Sequence, residues 1–240
     1  MTIRRLAGWI FVCAMLSVAG PCPAAPAQKN WLPTVDPKLP NVLLIGDSIS
    51  IGYTMGVREL LKGEANVFRP CTPDGTKVVN CSDTSTGLDK LAEWLGDKKW
   101  AVIHFNWGLH DLKYMAPGEG KRKTVLDKAK GKQVRSVEEY AKNLDEIVTR
   151  LKATGAKLIF ATTTLVPEGE PGRVAGDDVK YNAAALDVMK RQGVAIDDLH
   201  AITKGFAPEM FSKPGNVHYS EAGSERLAEQ VAGAIRGALK

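Results

Sequence analysis

The strongest structural signal in the chain is the segment Val42-Leu43-Leu44-Ile45-Gly46-Asp47-Ser48-Ile49-Ser50-Ile51-Gly52. Its first four residues predict a buried strand, and Gly46-Asp47-Ser48 predicts a turn into a helix. Ser48 then stands at the carboxyl end of a strand, near a helix N-terminus. Its N–H is unpaired there and can face an oxyanion. Asp47 and Ser48 are also favourable helix caps, so capping alone is the simpler alternative for both.

The pattern of an apolar run, a turn and an amphipathic stretch repeats outward from this segment. The predicted strands lie at residues 42–45, 66–68, 100–105, 156–161 and 194–196. The predicted helices lie at residues 51–62, 88–95, 137–153, 179–192 and 221–239. Strands that alternate with helices indicate parallel β-α-β units covered on both faces. In such an α/β sheet, functional groups gather beyond the carboxyl ends of the strands.

Length and composition indicate one exported domain. The 240 residues are 44% hydrophobic and 25% charged, which is ordinary for a globular protein. Residues 1–27 are typical of a signal peptide, with Arg4 and Arg5 before an apolar stretch and cleavage before Gln28. An uncleaved N-terminal anchor is the alternative. We expect residues 28–240 to form a secreted or periplasmic domain without a membrane span. The net charge of +5 is too small to indicate nucleic-acid binding.

Two further features lie within the predicted domain. Cleavage at residue 27 leaves Cys71 and Cys81, and an even count in an exported chain predicts a disulfide between them, with two free thiols as the alternative. Residues 113–135 carry eight Lys/Arg and two acids. Such a run is typically a solvated, mobile insertion, and the functional alternative is a basic flap that attracts an anionic substrate.

Two other loops carry candidate catalytic residues. His218, in Asn216-Val217-His218-Tyr219-Ser220-Glu221-Ala222-Gly223, precedes the last predicted helix and could activate a serine hydroxyl. Asn106-Trp107-Gly108-Leu109-His110-Asp111 follows the third predicted strand, and Asn106 and His110 can both donate hydrogen bonds. Taken singly, each could be structural: a surface histidine, a core tryptophan, a capping aspartate.

Together, the three loops resemble the SGNH (GDSL-type) hydrolases. Gly46-Asp47-Ser48 matches the family's first block, and His218 to Gly223 matches its last. The resemblance implies a flavodoxin-like three-layer α/β/α sandwich with about five parallel strands. It implies that Ser48 is the nucleophile and His218 its base. It also implies an oxyanion hole built from the N–H of Ser48, a second backbone N–H and a side-chain donor.

The chain departs from the family pattern at three positions. Ser82 stands where the family has an oxyanion-hole glycine, and its N–H could keep that role. His110 replaces the asparagine of Gly-x-Asn-Asp, and either His110 or Asn106 could supply the donor. Gly215 stands where an aspartate normally orients the histidine. A backbone carbonyl, the uncharged Asn216 or an acid from another loop could substitute.

These residues predict a serine esterase that hydrolyses small acyl esters, acetyl esters in particular, on a small-molecule or polysaccharide substrate. A carbohydrate-binding or accessory domain with impaired catalysis is one alternative. A lipid-directed thioesterase or lysophospholipase is the other. Trp107 could stack on a sugar. We expect no cofactor, no metal and no nucleic-acid partner, and we expect a monomer.

Overall fold

This computed structural model describes residues 30–118 and 123–240, so the predicted signal peptide lies outside the described residues. The strands within them are β1 (Asn41–Ile45), β2 (Asn66–Phe68), β3 (Val102–Phe105), β4 (Tyr114–Pro117), β5 (Thr124–Leu126), β6 (Lys132–Gln133), β7 (Lys157–Ala161) and β8 (Ala195–Asp197). The α-helices are α1 (Ser48–Leu60), α2 (Thr84–Leu95), α3 (Val137–Lys152), α4 (Asp177–Gln192), α5 (Leu199–Lys204) and α6 (Glu221–Leu239). A 3-10 turn lies at Pro208–Met210.

The central sheet has five parallel strands in the order β2-β1-β3-β7-β8. Helices α1 and α6 pack together, and α3 packs between α2 and α4. Both helix groups contact strands of the central sheet, since α6 and α3 both contact β7, but the two groups make at most minor contacts with each other, so they cover opposite faces. This arrangement confirms the predicted flavodoxin-like α/β/α fold. No helix of the described residues is long and apolar enough to cross a membrane.

Local capping sets where the helices begin. Helix α1 starts at Ser48, before the predicted position, because the Asp47 carboxylate accepts the N–H of Ile49. Helix α2 starts at Thr84 for the same reason, since Asp83 accepts two N–H groups of its first turn. Both shifts extend the helices toward the carboxyl edge of the sheet, where the candidate residues lie.

The basic segment at residues 113–135 contains strands that its sequence did not predict. Strands β5, β4 and β6 form an antiparallel sheet in that order. The sheet is attached to the loop after β7, because the Tyr114 N–H donates to Gly172 O at 2.7 Å and Lys128 Nζ donates to Glu170 O at 2.7 Å. The described part of the segment is therefore a docked sheet and not a loose insertion.

The predicted disulfide between Cys71 and Cys81 is wrong, because both thiols are free. Cys71 pairs with Val78 in an isolated antiparallel bridge, and its side chain is half-buried. Cys81 is fully buried in the core, and its N–H donates to Gly46 O at 3.2 Å. Burial raises the pKa of the Cys81 thiol to about 11. Each cysteine therefore lies in a different local environment.

Candidate active site

The turn from β1 into α1 presents Ser48 at the edge of the central sheet. Ser48 is the first residue of α1, and the buried Asp47 caps the helix through Ile49 N at 2.9 Å. Gly46 is needed for this tight turn, since a Cβ there would lie 2.9 Å from Ser50 Oγ. The N–H of Ser48 belongs to the first helical turn, where backbone donors have no intrahelical acceptor. A developing oxyanion could use this donor.

Arg69 makes hydrogen bonds to the turn that carries Ser48. The sequence did not identify this residue. It follows strand β2 and is 3% exposed. Its guanidinium donates to Gly46 O at 3.3 Å and to Ser50 Oγ at 3.2 Å. It also donates to Val79 O at 3.0 Å, so it ties the Ser48 turn to the loop that precedes α2. The sequence feature that could have identified Arg69 is its position directly after a predicted strand, at the edge of the sheet where functional groups gather.

Ser48 and His218 meet although 170 residues separate them. Ser48 Oγ lies 2.8 Å from His218 Nε2. The side-chain Oδ1 of Asn216 lies 2.8 Å from the backbone N of His218 and 2.7 Å from its Nδ1. A backbone N–H can only donate, so the Asn216 atom that it faces must be the carbonyl oxygen. Nδ1 must then carry the imidazole proton, which leaves the Nε2 lone pair to accept from Ser48.

Asn216 therefore occupies the orienting position that the sequence left open. The family's aspartate position is Gly215, whose φ of 66° lies in the left-handed region. A Cβ at Gly215 would also lie 3.1 Å from the backbone of Gly169. An aspartate at residue 215 would thus be strained in this loop. The asparagine one residue later accepts the Nδ1–H without supplying a negative charge.

His110 lies in the same cavity as Ser48 and His218. Burial lowers the pKa of His110 to about 4, so the imidazole is neutral at pH 7. Its Nδ1 lies 3.3 Å from Lys113 Nζ. Gly108 shapes the loop that carries His110, because its φ is 149° and a Cβ there would lie 1.9 Å from Thr163 Oγ1.

The structure does not support the oxyanion role predicted for Ser82. Ser82 has a φ of 53°, in the left-handed region that favours glycine, which is the residue that the family resemblance implies here. Its N–H donates to Asn80 Oδ1 at 3.0 Å and is therefore already engaged. Asn80, which the sequence did not single out, lines the cavity instead. Because its Oδ1 faces Ser82, its Nδ2 is the amide group left to donate into the cavity.

Asn106, Trp107 and Asp111 have structural contacts. Asn106 Nδ2 donates one of its two N–H groups to Ala161 O at 2.8 Å, and Asn106 is not among the residues that line the cavity around Ser48. Trp107 is fully buried and cannot stack on a sugar as proposed from the sequence. Asp111 accepts from the backbone N of Thr84 at 2.9 Å and is fully buried. Burial raises the pKa of Asp111 to about 7.

A cavity of about 440 Å³ surrounds the Ser48–His218 contact. Its charged residues are Lys113, Arg173 and Glu170. Arg173 and Glu170 are buried and paired, with Nη1 and Oε1 2.7 Å apart. Lys113 has no such acidic partner within the described residues, so the charged side chains that line the cavity leave one formal positive charge unbalanced. Among the residues described, no three His, Cys, Asp or Glu side chains cluster as metal ligands would.

Comparison with known proteins agrees with this arrangement. A sequence model of the GDSL-like Lipase/Acylhydrolase family matches residues 44–226, which include Ser48 and His218. A search of curated proteins finds no match.

Solved structures with a similar fold include three hydrolases. An acetyl xylan esterase is 14% identical, with a TM-score of 0.63 over 81% of this chain and 99% of that one. A lipase/acylhydrolase from Enterococcus faecalis is 19% identical, with a TM-score of 0.64 over 84% and 97%. An acetylxylan esterase from Geobacillus stearothermophilus is 19% identical, with a TM-score of 0.62 over 82% and 94%. At these identities the likeness shows a shared fold.

Proposed function

Since the chain belongs to the GDSL-like Lipase/Acylhydrolase family, we propose that this serine ester hydrolase removes small acyl groups, above all acetyl, from carbohydrate. The observation that carries the proposal is the 2.8 Å contact between Ser48 Oγ and His218 Nε2, with the imidazole tautomer fixed by Asn216. This contact favours turnover over the alternative of a binding domain with impaired catalysis.

The reaction proceeds through an acyl-enzyme. Ser48 Oγ attacks the ester carbonyl carbon while its proton moves to His218 Nε2. The carbonyl oxygen becomes an oxyanion that accepts hydrogen bonds from the N–H of Ser48, from His110 and from the Asn80 amide. The imidazolium then protonates the departing alcohol oxygen as the C–O bond breaks. A water molecule then attacks the acyl carbon while its proton moves to His218 Nε2, and the bond between the acyl carbon and Ser48 Oγ breaks as the imidazolium returns the proton to Ser48, which releases the acid.

The cavity favours a small acyl group and a polar alcohol. Polar side chains such as Asn80, Lys113 and Glu170 line the cavity around Ser48, together with four apolar residues, which are Met115, Leu126, Pro171 and Val217. We propose that these four apolar residues contact a short acyl group and that the polar and charged residues contact the alcohol portion of the substrate. The names of two structural neighbours, both acetyl xylan esterases, agree with a polysaccharide ester. We further propose a monomer that is secreted or periplasmic after removal of residues 1–27.

Hydrolysis of p-nitrophenyl esters tests the proposal. We expect turnover of the acetate ester, loss to background in Ser48→Ala and His218→Ala, and a rate that falls as the acyl chain lengthens. Ser212→Ala and His200→Gln are matched controls, because Ser212 is exposed and His200 pairs with Asp178 in another part of the fold. Equal rates in all variants would refute the catalytic assignment. Faster turnover of octanoate than of acetate would favour the lipid-directed alternative.

A further inference from the structure

We propose that Lys113 is a positioning residue that holds the neutral His110 imidazole with its proton on Nε2, as an oxyanion-hole donor. Lys113 Nζ lies 3.3 Å from His110 Nδ1, and both side chains line the cavity that contains Ser48. The assignment rests on the esterase activity proposed above. It concerns the position at which the family pattern has an asparagine.

The donor and acceptor roles in this contact follow from the chemistry of the two groups. A lysine ammonium has three N–H donors and no acceptor. His110 Nδ1 must therefore present its lone pair to Lys113. A neutral imidazole has one ring proton, so that proton resides on Nε2. His110 is neutral because burial lowers its pKa to about 4.

A histidine can replace an asparagine here only if its tautomer is controlled. An asparagine amide always has donors, whereas each nitrogen of a neutral imidazole is a donor in one tautomer and an acceptor in the other. In the Nδ1–H tautomer, Nε2 would present a lone pair that repels an oxyanion. The Lys113 contact removes this tautomer from the resting state.

The backbone holds the two side chains in place for this contact. Lys113 follows His110 by three residues, in the turn where the Leu112 N–H donates to Gly108 O at 2.9 Å. The small antiparallel sheet fixes the far side of this turn, since the Val134 N–H donates to Lys113 O at 3.0 Å. The basic segment thus contributes to the site through the residue at its first position.

The positive charge of Lys113 strengthens the same donor. Its ammonium lies against the imidazole and draws electron density from the ring, which makes the Nε2–H a better partner for a negative oxygen. Among the described residues, the bond to His110 is the hydrogen bond that this ammonium makes. Direct binding of an anionic substrate group by Lys113 is the competing explanation, and kinetics separates the two.

Four variants and one spectrum test the assignment. Lys113→Met removes the donor, and Lys113→Arg keeps both charge and donors. His110→Asn restores the family's amide, which has no tautomer to control. The double variant His110→Asn/Lys113→Met then measures whether the cost of losing Lys113 depends on the imidazole. Ring nitrogen-15 shifts, assigned to His110 by their loss in His110→Asn, report the tautomer in the resting protein.

We expect His110 to carry its proton on Nε2 in the wild type and to lose this preference in Lys113→Met. On p-nitrophenyl acetate, Lys113→Met should lower kcat by about ten-fold or more with KM unchanged, short of the roughly 10²–10³-fold cost of deleting an oxyanion donor. Lys113→Arg should retain most activity. In the His110→Asn background, Lys113→Met should cost less than about two-fold.

Three results would overturn the assignment. One is a wild-type His110 with its proton on Nδ1. Another is an equal loss from Lys113→Met in both backgrounds. The third is a rise in KM confined to anionic esters, which would make Lys113 a substrate-binding residue. The spectrum is independent of turnover, so absence of Ser48-dependent hydrolysis would refute the proposed function without deciding the tautomer.

Discussion

Replacing Asn216 by aspartate should make the site faster. The carboxylate can accept the same two bonds that Asn216 Oδ1 accepts from His218, at 2.7 Å from Nδ1 and 2.8 Å from the backbone N. The turn geometry is unchanged, since Asn and Asp side chains both form this bond to the backbone two residues on. The difference is a negative charge beside the imidazolium that forms in the transition state.

The size of the effect follows from the position of His218. Two opposite charges about 4 Å apart attract by about 4 kcal/mol at an effective dielectric constant of about 20, and by about 1 kcal/mol in bulk water. His218 is exposed, so the gain lies near the water limit, at about 1–2 kcal/mol. This corresponds to a rise in kcat of about five- to thirty-fold. The gain should shrink at high salt, because exposed charges are screened.

The assay is steady-state hydrolysis of p-nitrophenyl acetate by wild type, Asn216→Asp and Asn216→Ala. The alanine variant loses both accepted bonds and should lower kcat by about ten-fold or more, because the imidazole tautomer is no longer fixed. Ser212→Asp adds a carboxylate at an exposed residue whose N–H donates to His218 O at 2.9 Å, keeps the Asn216 contacts, and should leave kcat near the wild-type value. The reasoning is refuted if Asn216→Ala keeps wild-type activity, or if Asn216→Asp and Ser212→Asp have the same effect.

Three further predictions concern stability and thiol chemistry. The pKa of Asp111 is raised to about 7 in the folded state, so the contribution of Asp111 to the free energy of unfolding is lost as pH rises from about 4 to about 7, and Asp111→Asn removes this contribution to the pH dependence. In urea denaturation, the free energy of unfolding of Asp111→Asn relative to the wild type should increase between pH 4.5 and pH 8, by at most about 4 kcal/mol. A difference between the two proteins that is the same at both pH values would contradict this. Gly108→Ala should lower the free energy of unfolding by about 2 kcal/mol or more, because its Cβ would lie 1.9 Å from Thr163 Oγ1; a change under about 0.5 kcal/mol would count against the loop geometry. In protein beginning at residue 28, an aromatic disulfide reagent should find two thiols after denaturation, with Cys81 protected in the native state by its burial; no reactive thiol in urea would restore the disulfide prediction.

The central fold could be predicted from the sequence because its strands and helices have clear periodicity. The continuous apolar run before Gly46 predicts a buried strand, and the apolar residues at helical spacing before Gly96 predict a helix. The three loops that meet at the site were also predictable, since parallel strands bring their carboxyl ends to one edge. The bounds of α1 and α2 were not, because they depend on side-chain caps.

The small antiparallel sheet could not be predicted from the sequence, because its segment is highly charged. Residues 113–135 are rich in lysine, which is typical of solvated segments, and β5 and β6 have only three and two residues. These strands form because they pair with β4 and because the segment docks on the loop after β7. Such contacts between distant residues produce no hydrophobic periodicity in the sequence of the segment itself. The same reason explains why the sequence did not identify Lys113 as a residue of the site.

Side-chain partners were the least predictable feature of the site. Ser82 matched a family position, but its N–H bonds to Asn80, and this depends on the conformation of one loop. The partner of His218 was left open because Gly215 replaces the expected acid. Its identification as Asn216 required the distances to both nitrogens of His218. Sequence spacing identified the residues that meet, and the structure was needed to assign each hydrogen bond.

Labelling with a fluorophosphonate tests most directly whether Ser48 is an activated nucleophile. Intact-protein mass and peptide mapping should show one adduct per chain, on Ser48, in the wild type. Ser48→Ala should take up no label, and His218→Ala should react far more slowly, because the hydroxyl has lost its base. A wild-type protein that takes up no label, or one labelled at another residue while Ser48 stays free, would contradict the assignment of this site as a serine esterase.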